Sequence, residues 1–199
     1  MSRDEVHAAV ASFSERYVTD WNAWLNVRAT QKAALFGEIL RRWQATRPRV
    51  MRRTKAERLH QPPFLDDLIE EADRRVRRLG DLAIGPGWSP TADQESALVG
   101  LWATFEDLAI PAPASSVGIS KAVLLLTNGR IGPALDSNVQ RSLGIPRPTT
   151  AREWITLLGA VASDVAAFEA KNGRLASCVP TRHGQLAVGR LYDMALGPR

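Results

Sequence analysis

The stretch from Val117 to Gly144 reads V-G-I-S-K-A-V-L-L-L-T-N-G-R-I-G-P-A-L-D-S-N-V-Q-R-S-L-G, and it decides the fold that we predict. The apolar residues that recur there at helical spacing are Ile119, Ala122, Val123 and Leu126. Leucines make the remaining faces of the same segment apolar as well. This pattern predicts a buried central helix. One cation, Lys121, lies near its start.

A shorter helix is predicted directly after the central one. Asn128-Gly129 is a stop signal, and a loop containing Pro133 follows it. Either Asp136 or Ser137 then stands where an N-cap would open the next helix, which Gly144 ends. The sequence therefore brings a cation and a carboxylate close to helix termini.

The rest of the chain also has helical periodicity. Capping boxes begin helices at Ser2, Thr91 and Thr150. The first predicted helix begins at Ser2, and its apolar face runs from Val6 to Tyr17. Outside the central stretch, the other predicted helices cover about 30–44, 65–79, 91–109, 150–172 and 184–196. Alternating strand patterns are almost absent. We therefore predict an all-α, multi-helical protein.

A break between two helical halves is expected near Ile84–Pro90, where glycine and proline interrupt the periodicity. It gives an N-terminal half, residues 1–84, and a C-terminal half, residues 85–199, which also fit one compact domain. The chain has 199 residues, of which 45% are hydrophobic, so it can bury a core without disulfides or metal. The lone cysteine, Cys178, fits a reducing compartment.

Positive charge is concentrated in one segment. The formal net charge is +5, and residues 41–58 hold eight of the basic side chains against a single acidic one, Glu57. The basic residues of this arginine segment are Arg41, Arg42, Arg47, Arg49, Arg52, Arg53, Lys55 and Arg58. Clustered cations bind phosphates by releasing counterions, which points to a polyanionic partner. A solvated arginine-rich surface explains the segment equally well.

Motifs typical of several protein classes are absent from this sequence. The three histidines are scattered, and no zinc, phosphate-loop, dinucleotide or serine-hydrolase motif occurs, so we expect no metal and no cofactor. In 65–79 the spacing of four residues predicts the ion pairs Glu70–Arg74, Glu71–Arg75 and Asp73–Arg77, which favours a solvated ion-pair surface over a metal site. Neither a signal-peptide pattern nor a long apolar run is present, so we expect a cytoplasmic protein without membrane contact.

Lys121 and Asp136 are the residues that could carry chemistry. Partial burial lowers the pKa of a lysine towards the range in which an amine acts as a nucleophile. A carboxylate at an N-cap suits the stabilisation of a developing cation or the positioning of a water molecule. The plainer alternative is that Asp136 is only a cap and that Lys121 pairs with it or reaches solvent.

The segments Val117–Ala122 and Leu135–Gly144 resemble the core of the helix-hairpin-helix DNA glycosylases, notably the 8-oxoguanine type. In that family a G-x-G hairpin leads into a helix with a catalytic lysine, and a V-D-T-x-V-x-R-like segment supplies an aspartate. Here Ala114-Ser115-Ser116 replaces the first half of the hairpin, and Lys121 follows Gly118 by three residues instead of two. The resemblance covers about 28 of the 199 residues.

The resemblance implies two helical halves with a cleft that receives a flipped base. It implies catalysis at Lys121, by attack on the sugar, or at Asp136, by assisting water. Gly118 and Ser120 would join the arginine segment in binding nucleic acid, DNA or RNA. Two alternatives stay open, a nucleic-acid-binding protein without catalysis and a helical interaction module whose arginines recognise an acidic protein.

Overall fold

A computed structural model describes residues 1–57 and 61–197 of the chain. Across those ranges it has nine α-helices and one two-stranded antiparallel sheet, which confirms the all-α prediction. The helices are α1 Arg3–Ala11, α2 Glu15–Leu25, α3 Lys32–Arg42, α4 Leu65–Leu79, α5 Ala92–Glu106, α6 Ser116–Leu126, α7 Ser137–Leu143, α8 Ala151–Asn172 and α9 Val188–Leu196. The strands are β1 Val50–Met51 and β2 Ala109–Ile110, and single 3-10 turns cover Ala29–Gln31, Lys55–Glu57, Leu175–Cys178 and Thr181–His183.

Local capping explains where several helices begin. At α1, the Ser2 amide donates to Glu5 Oε2 at 2.6 Å, and Ser2 Oγ accepts from the Glu5 amide at 3.3 Å. Thr91 and Gln94 form the same reciprocal pair at α5. Each box satisfies two of the amides that a helix start leaves without partners. Both starts agree with the prediction.

The N-terminal helical pattern is divided into two helices. Its apolar face was expected to continue from Val6 to Tyr17, but α1 ends at Ala11 and α2 begins at Glu15. Ser12 Oγ donates to the Ala9 carbonyl at 3.1 Å, a local bond that competes with continuation of the helix. The last helix also begins later than expected, at Val188, after the 3-10 turn that ends at His183.

The core is one continuous hydrophobic cluster built from both proposed halves. Its members include Phe36 and Leu65 from the first half and Leu125, Trp154 and Leu191 from the second. Helix α1 packs on α9, and α4 packs along α5. The division between residues 84 and 85 stays a prediction.

The short sheet fastens the arginine segment to the second half of the chain. Val50 pairs with Ile110, and Met51 pairs with Ala109. The segment after α3 is therefore held beside the turn that leads into α6. Over the described ranges, no helix is both long enough and apolar enough to cross a membrane.

Acidic and basic side chains pair on the exposed face of α4. Glu70 pairs with Arg74 at 3.0 Å and Glu71 with Arg75 at 2.7 Å, as the spacing predicts. Asp73 binds Lys32 of α3 at 2.6 Å, although its spacing had favoured Arg77. No group of three or more potential metal-binding side chains was found in the part of the chain that the structure describes.

Candidate nucleic-acid interface

Lys121 is buried on α6, with 8% of its surface exposed. Its Nζ donates to the backbone carbonyl of Trp43 at 2.8 Å. Burial lowers the pKa of the Lys121 ammonium, while the nearby carboxylates of Asp136 and Asp193 act in the opposite direction. The lysine is therefore a desolvated cation tied to the end of α3.

Asp136 is the N-cap of α7 and is half-buried. Its Oδ1 accepts from the amides of Asn138 at 3.0 Å and Val139 at 3.1 Å. Among the described residues, its Oδ2 makes no hydrogen bond, and no ion pair joins it to Lys121. Asp136 thus anchors one oxygen in the helix start and keeps the second oxygen for another partner.

Gly118 and Ser120 are both buried in packing contacts. A Cβ on Gly118 would lie 2.7 Å from the Ala45 carbonyl oxygen, so only glycine permits this approach. Ser120 Oγ donates to the Val117 carbonyl at 3.2 Å and accepts from the Leu135 amide at 2.8 Å. These two residues hold α6 against its neighbours, and a role in binding nucleic acid stays a prediction for both.

A pocket of about 330 Å³ lies at the N-terminus of α6. Two arginines, Arg49 and Arg147, and one carboxylate, Glu106, are its charged residues. Glu106 accepts a hydrogen bond from Trp102 Nε1 at 3.0 Å. The remaining lining residues are Pro113, Ala114, Ser115, Ser116, Pro148 and Thr149. We call this site the α6 pocket.

Several hydrogen-bond donors at the start of α6, beside the α6 pocket, have no acceptor among the described residues. Ser116 is 4% exposed, and its Oγ has no hydrogen-bond partner within the ranges 1–57 and 61–197. The N-cap residue Ser115 makes no side-chain cap. The amides of Ser116, Val117 and Gly118 also lack an acceptor among the described residues. A helix start with free amides carries partial positive charge and attracts anions.

The α6 pocket and Asp136 are connected through α6 itself. Ser116 and Ser120 are one turn apart, about 6 Å along the helix axis. Ser120 binds the amide of Leu135, which directly precedes Asp136.

Part of the arginine segment is engaged in pairs inside the protein. Arg42 binds Asp20 through Nη2 at 2.7 Å, and this hydrogen-bonded pair raises the pKa of the guanidinium. Arg53 pairs with Glu57 at 2.9 Å, and Lys55 pairs with Asp67 at 2.5 Å. These three cations have less charge to offer a ligand than the sequence suggests.

Arg41, Arg49 and Arg52 serve the packing of the segment. Burial lowers the pKa of Arg41, and its Nη1 is buried without a partner. Arg49 donates to the Pro113 carbonyl beside the α6 pocket. Arg52 donates to the carbonyls of Asp107 at 2.7 Å and Gln61 at 3.1 Å.

Arg47 is exposed and donates to Gln44 Oε1 at 3.2 Å. Arg58 falls outside the described residues. Within the segment, Arg47 and Arg49 are thus the exposed arginines that have no carboxylate partner in the described structure.

The sequence analysis did not identify Ser116 and Arg147 of the α6 pocket, nor the buried pair Arg190 and Asp193 of α9. Ser116 and Arg147 carry no motif, and they meet only because the turn before α6 lies beside the loop before α8. Arg190 and Asp193 form a buried ion pair at 2.6 Å on α9. Their three-residue spacing was the one available signal. No protein-family model, curated protein or solved structure matches this chain.

Proposed function

We propose that the protein binds DNA, with a backbone phosphate in the α6 pocket and Asp136 facing the strand next to it. The observation that carries this proposal is the convergence of unpartnered donors, the Ser116 hydroxyl and the first amides of α6, with Arg49 and Arg147. All of these groups are hydrogen-bond donors, and the several oxygens of a phosphate group are acceptors that match them. Arginine also matches the geometry of phosphate better than lysine does.

In this proposal the fold is that of the helix-hairpin-helix glycosylases. The halves 1–84 and 85–199 face each other across a cleft, which receives an unstacked nucleotide. Support comes from the contact between Lys121 and the Trp43 carbonyl, which joins the two halves close to Asp136. Pairs within the arginine segment leave Arg47 and Arg49 as the segment's contribution to the phosphate path.

Asp136 is the catalytic residue that we propose, because its Oδ2 is unengaged while its Oδ1 is fixed by α7. The carboxylate stabilises the cation that develops on the sugar and accepts a proton from the attacking water. The water oxygen bonds to C1′ as the N-glycosidic bond breaks. The electron pair of that bond leaves with the base, which takes a proton from solvent, and Asp136 returns the proton of the attacking water to solvent.

Lys121 acts as a positioning residue in this mechanism. Its ammonium is buried and donates to a carbonyl, so it is not presented to a sugar. It does place a positive charge near the carboxylate of Asp136. We therefore favour release of the base by water over attack by the lysine.

The binding step is tested by salt-dependent affinity for a fluorescent duplex. Arg147→Gln removes one exposed cation from the α6 pocket, and the matched control Arg77→Gln removes one from the exposed face of α4. We expect Arg147→Gln to weaken binding and to reduce the slope of log K against log salt by about 1. Equal slopes for the two variants, or no binding at low salt, would contradict the proposal.

A nucleic-acid-binding protein without catalysis is the second candidate. It is favoured by the burial of Lys121, which keeps from the site the nucleophile that the family resemblance implies. Base release from a panel of lesion-containing duplexes separates the candidates. Asparagine is also a good N-cap, so Asp136→Asn keeps α7 and removes the charge. The glycosylase proposal expects release by wild type and its loss in Asp136→Asn with binding intact, whereas the second candidate expects binding without release by either protein.

A further inference from the structure

A second pocket with unpartnered donors lies on the side of the molecule formed by α2, the 3-10 turn Thr181–His183 and α9. Its volume is about 240 Å³. It is lined by Glu15, Val18, Trp21, Asn22, Arg182, His183, Leu186, Arg190 and Met194. We call it the α2–α9 pocket. None of these residues belongs to the α6 pocket or to the Lys121–Asp136 pair.

Arg190 contributes a buried guanidinium group to the α2–α9 pocket. The residue is 2% exposed, and its Nη1 donates to Asp193 Oδ2 at 2.6 Å. Aromatic rings of Trp21, Phe13 and Trp43 surround the guanidinium, with centroids 4.6, 5.0 and 5.8 Å from Cζ. Asp193 therefore neutralises one side of the group, and the rings pack against it.

One edge of this guanidinium has no hydrogen-bond acceptor among the described residues. In the part of the chain that the structure describes, Nε and Nη2 of Arg190 are both buried without a hydrogen bond. These two nitrogens form the edge with which an arginine binds a planar carboxylate through two parallel hydrogen bonds. Trp21, which lines the same pocket, also has a buried Nε1 without an acceptor. Two residues that line one pocket thus contribute three buried donors that lack an acceptor among the described residues.

The rest of the α2–α9 pocket is apolar. Val18, Leu186 and Met194 contribute aliphatic surface to it. At its rim, Glu15 pairs with Arg182 at 3.2 Å, and Arg182 Nε donates to His183 Nε2 at 3.1 Å. The Glu15 carboxylate is thereby engaged by Arg182, which reduces its repulsion of an incoming anion.

We propose that the α2–α9 pocket binds a small carboxylate with an apolar body. The carboxylate accepts from the Nε and Nη2 of Arg190 and from the indole N–H of Trp21. The apolar body packs on Val18, Leu186 and Met194. Because these donors are shielded from solvent in the unliganded protein, binding includes a local shift of the pocket wall. A volume near 240 Å³ limits the ligand to about the size of benzoate or hexanoate.

The test follows the indole N–H resonance of Trp21 by NMR, assigned by its absence in Trp21→Phe. The probes are benzoate and hexanoate, with benzamide as the uncharged control and inorganic phosphate as a second anion. We expect a saturable downfield shift with both carboxylates, and affinity at least about tenfold weaker for benzamide and for phosphate. Absence of a saturable shift with the carboxylates, or equal affinity for benzamide or phosphate, would overturn the proposal.

A pocket-filling variant avoids replacing Arg190, whose loss would also affect folding. Val18→Phe narrows the α2–α9 pocket from a half-buried position on α2. Leu25→Phe is the matched control, because it adds an aromatic ring at an exposed position of the same helix. With folding verified by circular dichroism, we expect Val18→Phe to weaken benzoate binding at least about tenfold and Leu25→Phe to leave it unchanged. Equal affinities for both variants would place the ligand elsewhere and refute the assignment.

Discussion

The environment of Lys121 could be predicted only in part from the sequence around it. The sequence left open whether Lys121 is buried, pairs with Asp136 or reaches solvent; in the structure it is buried, and burial lowers the pKa of its ammonium. Its acceptor, the Trp43 carbonyl, lies 78 residues earlier in the chain. No pattern within a helix can identify a backbone acceptor contributed by a distant turn. The expected pairing with Asp136 is replaced by a longer-range electrostatic interaction.

Because its pKa is lowered, the Lys121 ammonium should make the free energy of unfolding depend on pH in the alkaline range. Burial lowers its pKa in the folded state below the ordinary value of 10.5, so between these two values the unfolded chain binds more protons. The stability contributed by this residue therefore rises with pH through that window. We expect wild type to gain stability relative to Lys121→Met on going from neutral pH to about pH 10, by about 1.4 kcal/mol per unit of lowering. Urea unfolding at the two pH values measures the difference.

Lys171→Met is the control for this experiment, since Lys171 is exposed at the end of α8. Subtracting the pH dependence of Lys171→Met from that of Lys121→Met isolates the effect of burial. A Lys121→Met difference that changes with pH no more than that of Lys171→Met would show that burial does not lower the pKa of Lys121 on folding.

Helices were predicted well wherever a local signal marks an end. Ser2 and Thr91 begin helices through capping boxes, and Gly144 ends α7 in the left-handed conformation. The break between α1 and α2 was missed, because it depends on the Ser12 hydroxyl inside an uninterrupted apolar pattern. The sheet was missed as well, because two residues per strand are too few to show alternation.

Replacing two helical glycines by alanine should have opposite effects on the free energy of unfolding, because only Gly118 lies where α6 packs closely on the segment after α3. Gly118→Ala would bring Cβ to 2.7 Å from the Ala45 backbone oxygen, which cannot move without shifting the chain. We expect a loss of about 1–3 kcal/mol in the free energy of unfolding. At Gly159 in α8, the nearest atom, Trp88 Nε1, would be 3.7 Å away. Gly159→Ala should therefore gain up to about 1 kcal/mol from helix propensity.

Chemical denaturation of both variants measures these changes directly. A neutral or stabilising Gly118→Ala would show that α6 does not approach the segment after α3 this closely. DNA affinity, measured on the folded fraction of each variant, separates packing from any contact of Gly118 with nucleic acid.

Across the whole molecule, net charge overstates the charge available to a partner. The formal charge of +5 and the arginine segment predict a strongly basic surface. Folding brings Arg42 to Asp20 and Lys55 to Asp67, and these carboxylates lie far from their partners in the sequence. The cations that line the α6 pocket include Arg147, which belongs to no cluster. Composition thus predicted a polyanionic partner without identifying the binding residues.

The continuity of the core predicts how the chain unfolds. Phe36 and Phe105 stack with centroids 5.9 Å apart across the proposed boundary, and α1 packs on α9. We expect a single cooperative transition, because neither half retains a complete core alone. Near-ultraviolet and far-ultraviolet circular dichroism should give coincident urea curves. Two separated transitions would instead identify the halves 1–84 and 85–199 as independent units.

The location of the proposed DNA site is tested most directly by NMR of the backbone amides during titration with a short duplex. We predict the largest shifts at Ser116, Val117 and Gly118, where α6 begins with free amides. Smaller shifts are expected at Asn138 and Val139 beside Asp136. The α4 face around Arg74–Arg78 should remain unchanged. Shifts confined to α4, or no shifts at the start of α6 under saturating DNA, would contradict this assignment.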